Sequence, residues 1–186
     1  MTTLTPGTWN LDPTHTDVAF TVRHAGISKV RGTFTAVEGN LTVNESFSAS
    51  SVDITIDMGS INTGEPNRDG HVKGEDFFDV EKNPTMRFVS TEVRGEGEEF
   101  TLVGELTIKG ITRPVELEAE FGGQTVDAFG MTRAGFEAKG EISRKDFDIT
   151  WNAPLQSAAG GVLVSDKVKI EIDASFVLPG EDAAQA

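Results

Sequence analysis

The 186-residue chain has no cysteine and no tyrosine. Without thiols there is no disulfide, no thiolate metal site, no iron–sulfur cluster and no cysteine nucleophile. Without tyrosine, 12 Phe and two Trp supply the aromatic packing. Cations are scarce as well: 16 Lys plus Arg stand against 30 Asp plus Glu, a net charge of −14. That charge repels phosphate backbones and anionic lipid surfaces, so nucleic acid is not an expected partner. No apolar run approaches the roughly 18 residues of a membrane span. The longest, Ala158 to Val164, falls far short, so no integral membrane segment is expected. The opening Met1-Thr2-Thr3-Leu4-Thr5-Pro6-Gly7 shows neither the basic nor the apolar region of a secretory leader, and the expected location is cytoplasmic.

Motifs of catalysis are missing too. There is no Gly-x-Ser-x-Gly elbow, no Gly-x-Gly-x-x-Gly loop and no Walker loop. His15, His24 and His71 are not spaced for one helical face, and no metal site is expected from them. The abundant carboxylates sit mostly on the polar phase of alternating segments, as a solvated surface would place them. No cofactor and no catalytic set is expected.

What is present is alternation. Val52, Ile54, Ile56 and Met58 alternate with polar residues, and so do Phe100, Leu102, Gly104, Leu106 and Ile108. The same holds for Val115, Leu117, Ala119 and Phe121, for Phe136, Ala138, Gly140 and Ile142, and for Val168, Ile170, Ile172, Ala174 and Phe176. Period-2 patterns with one dry face predict antiparallel strands. Val18, Phe20 and Val22, followed by Val30, Gly32 and Phe34, share one parity, whereas Val37, Leu41 and Val43 run on the other. That switch predicts a bulge or a sharp corner. Short Gly-rich links, including Gly122-Gly123, read as hairpin turns. About eight such strands must close or stack to hide their edges. The expectation is an all-β, closed antiparallel barrel in one domain over residues 1–180, with a frayed tail at 181–186.

Two stretches break the rhythm. Pro66 to Asp79 predicts one or two short helices, and Arg144 to Pro154 predicts a helical turn carrying Phe147 and Trp151 inward. Both read as lids. Gln156 to Gly161 reads as a small-residue loop. Gly32, Gly39, Gly104 and Gly140 lie on the dry phase, where glycine marks either a corner or room for a bound molecule. A barrel of this size holds one small ligand. Its predicted apolar lining is Phe20, Val22, Phe34, Ile54, Ile56, Met58, Phe88, Leu102, Leu106, Ile108, Leu117, Phe121, Phe136, Ile142, Phe147, Trp151 and Phe176. Predicted lid or head-group residues are His24, Arg68, Asp69, His71 and Arg144, with Arg68–Asp69 and Arg144–Asp146 as natural local pairs.

The segment Trp9-Asn10-Leu11-Asp12-Pro13-Thr14-His15-Thr16-Asp17-Val18-Ala19-Phe20, with Val30-Arg31-Gly32-Thr33-Phe34, resembles the start of the YceI-like, polyisoprenoid-binding family. The resemblance continues through Ser60-Ile61-Asn62-Thr63-Gly64, Arg68-Asp69-Gly70-His71-Val72, Asp76-Phe77-Phe78-Asp79-Val80, Pro84-Thr85-Met86-Arg87-Phe88, Gly104 to Val115, Ser143 to Phe147 and Val164 to Val168. It implies a lipocalin-like barrel. The interior would hold a long apolar chain, either a polyisoprenoid, a prenyl quinone or a fatty-acid derivative. It also implies a homodimer in many members and no catalytic set. Two other readings compete with such a carrier. One is an enzyme acting on a small hydrophobic substrate through His15 or His71 and a carboxylate. The other is a packed stress-response module without ligand.

Overall fold

The computed structural model describes residues 4–95, 97–156 and 160–180. The tail 181–186 and positions 157–159 of the small-residue loop lie outside the described residues. The alternating segments form eleven strands: β1 (Gly7–Leu11), β2 (Asp17–His24), β3 (Ser28–Phe34), β4 (Val37–Val43), β5 (Ser51–Asp57), β6 (Ile61–Asn62), β7 (Thr85–Arg94), β8 (Glu99–Ile108), β9 (Ile111–Val126), β10 (Thr132–Ser143) and β11 (Lys167–Leu178). One α-helix, α1 (Pro66–Lys73), lies between β6 and β7. Glu65 caps its first turn, accepting from the N–H groups of Asn67 and Arg68, and Pro66 occupies the position where a missing N–H costs nothing.

All strand pairs are antiparallel, and the sheet closes where β11 meets both β1 and β2. β1 and β2 are one rising strand interrupted at Pro13–His15. β3 and β4 are one descending strand with a corner at Thr35–Ala36, where the inward parity switches from Phe34 to Val37 as the sequence predicts. These two, followed in order by β5, β7, β8, β9, β10 and β11, make an eight-position up-and-down barrel. Closure removes the unpaired edges of an open sheet. One turn expectation fails. Gly122-Gly123 does not reverse the chain. β9 runs through it, and the register against β10 slips by one residue where Gly135 faces Gly123 and Phe136 faces Phe121. The pair therefore forms a bulge, with Gly123 at a φ of 122° that a side chain would disfavour. The reversal comes later, at Asp127–Gly130.

The barrel has two unlike ends. At the lower end lie the β4–β5, β7–β8 and β9–β10 connections. At the upper end lie the β2–β3 hairpin, the segment 58–84 with α1, the Lys109-Gly110 turn and the 144–166 connection. β3 continues above the ends of β5 and β7, and residues 58–84 cover that gap by way of β6, which pairs with β3. The upper connections are tied to one another. Ala25 N donates to Leu163 O at 2.7 Å, and Lys109 Nζ donates to Asp148 O at 3.0 Å.

Outside the barrel near its lower half, Arg133 bridges Asp12 and Asp127 at 2.5 Å each. Hydrogen bonds from Thr14 hold the Asp12 carboxyl well below the usual carboxylate range, with Arg133 next in weight. Arg133 lowers Asp127 in the same direction. Both carboxyls are easier to ionise folded than unfolded. Their stabilisation is therefore complete above the unfolded pKa of about 4 and is lost as pH falls below it. Urea midpoints measured from pH 6 down to pH 2 are expected to fall below pH 4. An Arg133→Gln variant is expected to show a shallower fall, and an identical slope would contradict this assignment.

Candidate functional site

The inward residues do not meet at the axis. They enclose a cavity of about 410 Å³, inside the range of small-molecule sites. Phe20, Phe88, Phe136 and Ile172 point inward yet are only half-buried, because empty space lies beyond them. At the lower end Phe100 packs edge-on against Phe47 at 5.0 Å, and Phe136 contacts Phe121 and Phe176 at 5.1 and 5.9 Å. At the upper end Trp151, His71 and Phe77 form a second aromatic group with centroids 4.8–5.2 Å apart. The wall between them is aliphatic and aromatic.

Of the predicted lining, Phe20, Val22, Phe34, Ile54, Ile56, Phe88, Leu102, Leu106, Ile108, Leu117, Phe136, Ile142, Phe147, Trp151 and Phe176 border this cavity. Met58 and Phe121 do not. Met58 is 1 % exposed at the start of the lid segment, and Phe121 is 7 % exposed beneath Phe136. Both face inward, but their side chains meet other side chains rather than space. Phe100 shares the dry phase of β8 with Leu102, so strand parity could have found it. Phe77 and Phe78 lie within the lid stretch already singled out. Phe47, alone among Ser and Asn residues, gives no sequence signal.

The inward glycines leave no room for a bound molecule. The Phe20 ring lies over Gly32, Ile54 and the Asp53 carbonyl over Gly39, the Phe88 ring over Gly104, and Leu117 over Gly140; a Cβ at any of them would collide. The space goes to a neighbouring side chain, which lets large rings lie flat against the wall.

The polar candidates separate. His24, Arg68, His71 and Arg144 border the cavity at its upper end, whereas Asp69 does not. Asp69 accepts hydrogen bonds from Thr63 N (2.9 Å) and Thr63 Oγ1 (2.5 Å), which lower its pKa. Neither expected local pair forms. Arg68 donates to Thr63 Oγ1 and Thr63 O at 2.8 Å each. Arg144 ignores Asp146 and faces Asp166 at 3.5 Å. Its guanidinium is buried, and it donates to the carbonyls of Ile149 (2.9 Å), Trp151 (2.8 Å) and Ser165 (3.1 Å). Burial pushes its pKa down from the usual guanidinium value. The reason for the mispairing is geometric. The 3-10 turn Arg144–Phe147 aims Asp146 outward, while Arg144 points into the loop it must hold.

The two histidine–carboxylate pairs differ in place, one on the outer wall and the other at the cavity's upper rim. His15 meets Asp12 at 2.8 Å on the outer wall. His71 meets Asp76 at 2.9 Å on the lid, with both side chains about half exposed. His24 ends β2 and pairs with neither. Among the described residues no group of three His, Asp or Glu side chains converges as metal ligands would, and no helix is long and apolar enough to cross a membrane.

Comparison with known proteins follows the same outline. A family model described as a YceI-like domain matches residues 9–176. The protein YceI of Salmonella arizonae is 44 % identical over 137 residues, covering 73 % of this chain and 72 % of that protein. Among solved structures, BcnA of Burkholderia cenocepacia superposes with a TM-score of 0.76 at 21 % identity, covering 89 % of this chain and 98 % of that one. A polyisoprenoid-binding domain from Saccharophagus degradans, implicated in plant cell wall breakdown, superposes with a TM-score of 0.70 at 14 % identity, covering 92 % and 98 %.

Proposed function

This chain belongs to the YceI-like family, and from that premise we propose that it is a non-catalytic binding protein for one long apolar chain. The occupant would be a polyisoprenoid, the tail of a prenyl quinone or a fatty-acid derivative. The observation that carries this reading is the space itself: about 410 Å³ bounded almost wholly by carbon. Water placed there would meet a wall that offers almost no hydrogen-bond partners. Each methylene of a chain placed there recovers about 0.8 kcal/mol of transfer free energy. Ordering costs reduce the net affinity. A barrel packed solid would show no such space, so the cavity counts against the ligand-free module. The His15–Asp12 pair on the outer wall and the half-exposed His71–Asp76 pair at the rim both stand outside the depth of the barrel, which counts against an acid–base site there. That a structurally similar domain from Saccharophagus degradans is a polyisoprenoid binder supports the choice of ligand class.

Trp151 reports the test directly, since it borders the cavity while Trp9 is fully buried elsewhere. Titrating delipidated protein with farnesol and with a C16 fatty amide is expected to change Trp151 fluorescence saturably and to raise the melting temperature. No change in either quantity for any chain would overturn the proposal.

A further inference from the structure

We propose that the upper face of the barrel docks on a membrane surface bearing anionic lipids, with Ile27 at the β2–β3 tip entering the bilayer interface. The net charge of −14 is unevenly laid out. Residues 18–37, which span most of β2, the tip and β3, hold Arg23, Lys29 and Arg31 and no acid. Residues 149–156 and 160–165 of the upper connection hold no charged side chain. These stretches are joined. Ala25 N donates to Leu163 O at 2.7 Å, Ser165 N to Arg23 O at 3.0 Å and Arg23 N to Ser165 Oγ at 2.9 Å, and His24 forms a β-bridge with Val164. Arg23, His24, Leu163 and Val164 also border the cavity, so this face adjoins its mouth. Most acids of the upper end stand instead on the lid segment 58–84, where Glu65, Asp69, Asp76 and Asp79 already accept hydrogen bonds.

Arg23 and Lys29 stand directly opposite each other on β2 and β3, on the outward phase. Like charges so paired repel. Elsewhere on the wall the fold sets a carboxylate beside its arginines, as Asp53 beside Arg87 and Glu116 beside Arg94. Arg31 pairs with Asp17, whereas Arg23 and Lys29 form no ion pair among the described residues. The tip Ala25-Gly26-Ile27 is apolar, although turns favour Asn, Asp and Ser. Ile27 is 84 % exposed, and Val162, on the loop joined to the hairpin, is 50 % exposed. One exposed aliphatic residue on a surface carries no message. Two beside unpaired cations have the composition that seats a protein in a lipid headgroup layer. The rival apolar tip is Phe129, 90 % exposed at the opposite end. Its neighbouring cation, Arg133, is spent on Asp12 and Asp127, so nothing there draws it to an anionic surface. The binding function proposed above supplies the purpose of docking, since a long apolar chain enters from a membrane, but the surface is argued without it.

Delipidated full-length protein is sedimented with sucrose-loaded vesicles, made either of phosphatidylcholine alone or with about one-third phosphatidylglycerol. Binding to the mixed vesicles is expected to be at least about tenfold tighter at low salt, and the difference should shrink as ionic strength rises. Ile27→Ser is expected to weaken binding about tenfold and Lys29→Gln about fivefold. Phe129→Ser should leave it unchanged. Absence of binding to the mixed vesicles overturns the inference, as does binding that both upper-face variants leave intact or that Phe129→Ser removes. Equilibrium sedimentation examines the other occupant of such a face. A dimer that Ile27→Ser dissociates, without vesicle binding, assigns the face to a second copy and overturns the membrane. Farnesol uptake measured without vesicles keeps the two readings apart. Docking without uptake of any chain overturns the container and leaves the face, whereas uptake without docking overturns the face alone.

Discussion

Arg144→Met is expected to be the most destabilising single substitution outside the apolar core, at about 3–5 kcal/mol. The Arg144 side chain is 4 % exposed and ties the carbonyls of residues 149, 151 and 165 into one knot. Methionine keeps the apolar stem but leaves those buried carbonyls without donors. The loop they belong to carries Ile149, Trp151, Leu163 and Val164 to the cavity's upper rim. The variant should therefore show a lower urea midpoint and a red-shifted Trp151 emission. Arg144→Lys should rescue little, since one ammonium cannot reach three divergent acceptors. A loss below about 1 kcal/mol for Arg144→Met would mean that the loop is held by other contacts.

Ala138→Phe carries the second large effect. Ala138 stands on β10 between Ile172 of β11 and Ala119 of β9, and its methyl faces the cavity. A benzyl group there extends into open volume rather than into a packed neighbour. Affinity for any long chain is expected to fall at least about tenfold, while the melting temperature of the empty barrel holds or rises, because a void has been filled. Gly104→Phe would not report the same thing. The Phe88 ring and the Val89 carbonyl already cover Gly104, so that variant is overpacked and loses stability. Unchanged chain affinity in Ala138→Phe would place the binding site elsewhere.

Strand parity makes the barrel legible because its period reports which face is dry. On β8 it correctly turns Leu102, Leu106 and Ile108 inward, and the phase switch between Phe34 and Val37 marks the corner that joins β3 to β4. Parity is silent about what an inward side chain meets. Met58 and Phe121 share the phase of cavity-wall residues and still pack against neighbours. The inward glycines read as corners or ligand space, but each is covered by a residue from a neighbouring strand. That cover depends on cross-strand register, which alternation within one strand does not encode. Gly122-Gly123 carries a turn signal and becomes a bulge, since Gln124, Thr125 and Val126 still find partners on β10. At the upper mouth, residue types point to Arg68, His71 and Arg144. Their partners depend on loops distant in sequence, as with Arg144 and the carbonyls of residues 149–165.

The central claim is that the cavity holds a chain, and its contents can be read directly. Protein purified without detergent from its producing cells is extracted with organic solvent, and the extract is analysed by mass spectrometry beside an Ala138→Phe control. The account predicts a single-tailed amphiphile in a near-stoichiometric amount from the wild-type protein and its depletion from the variant. A clean wild-type extract, together with no uptake of prenyl or fatty chains by the same protein, would contradict it.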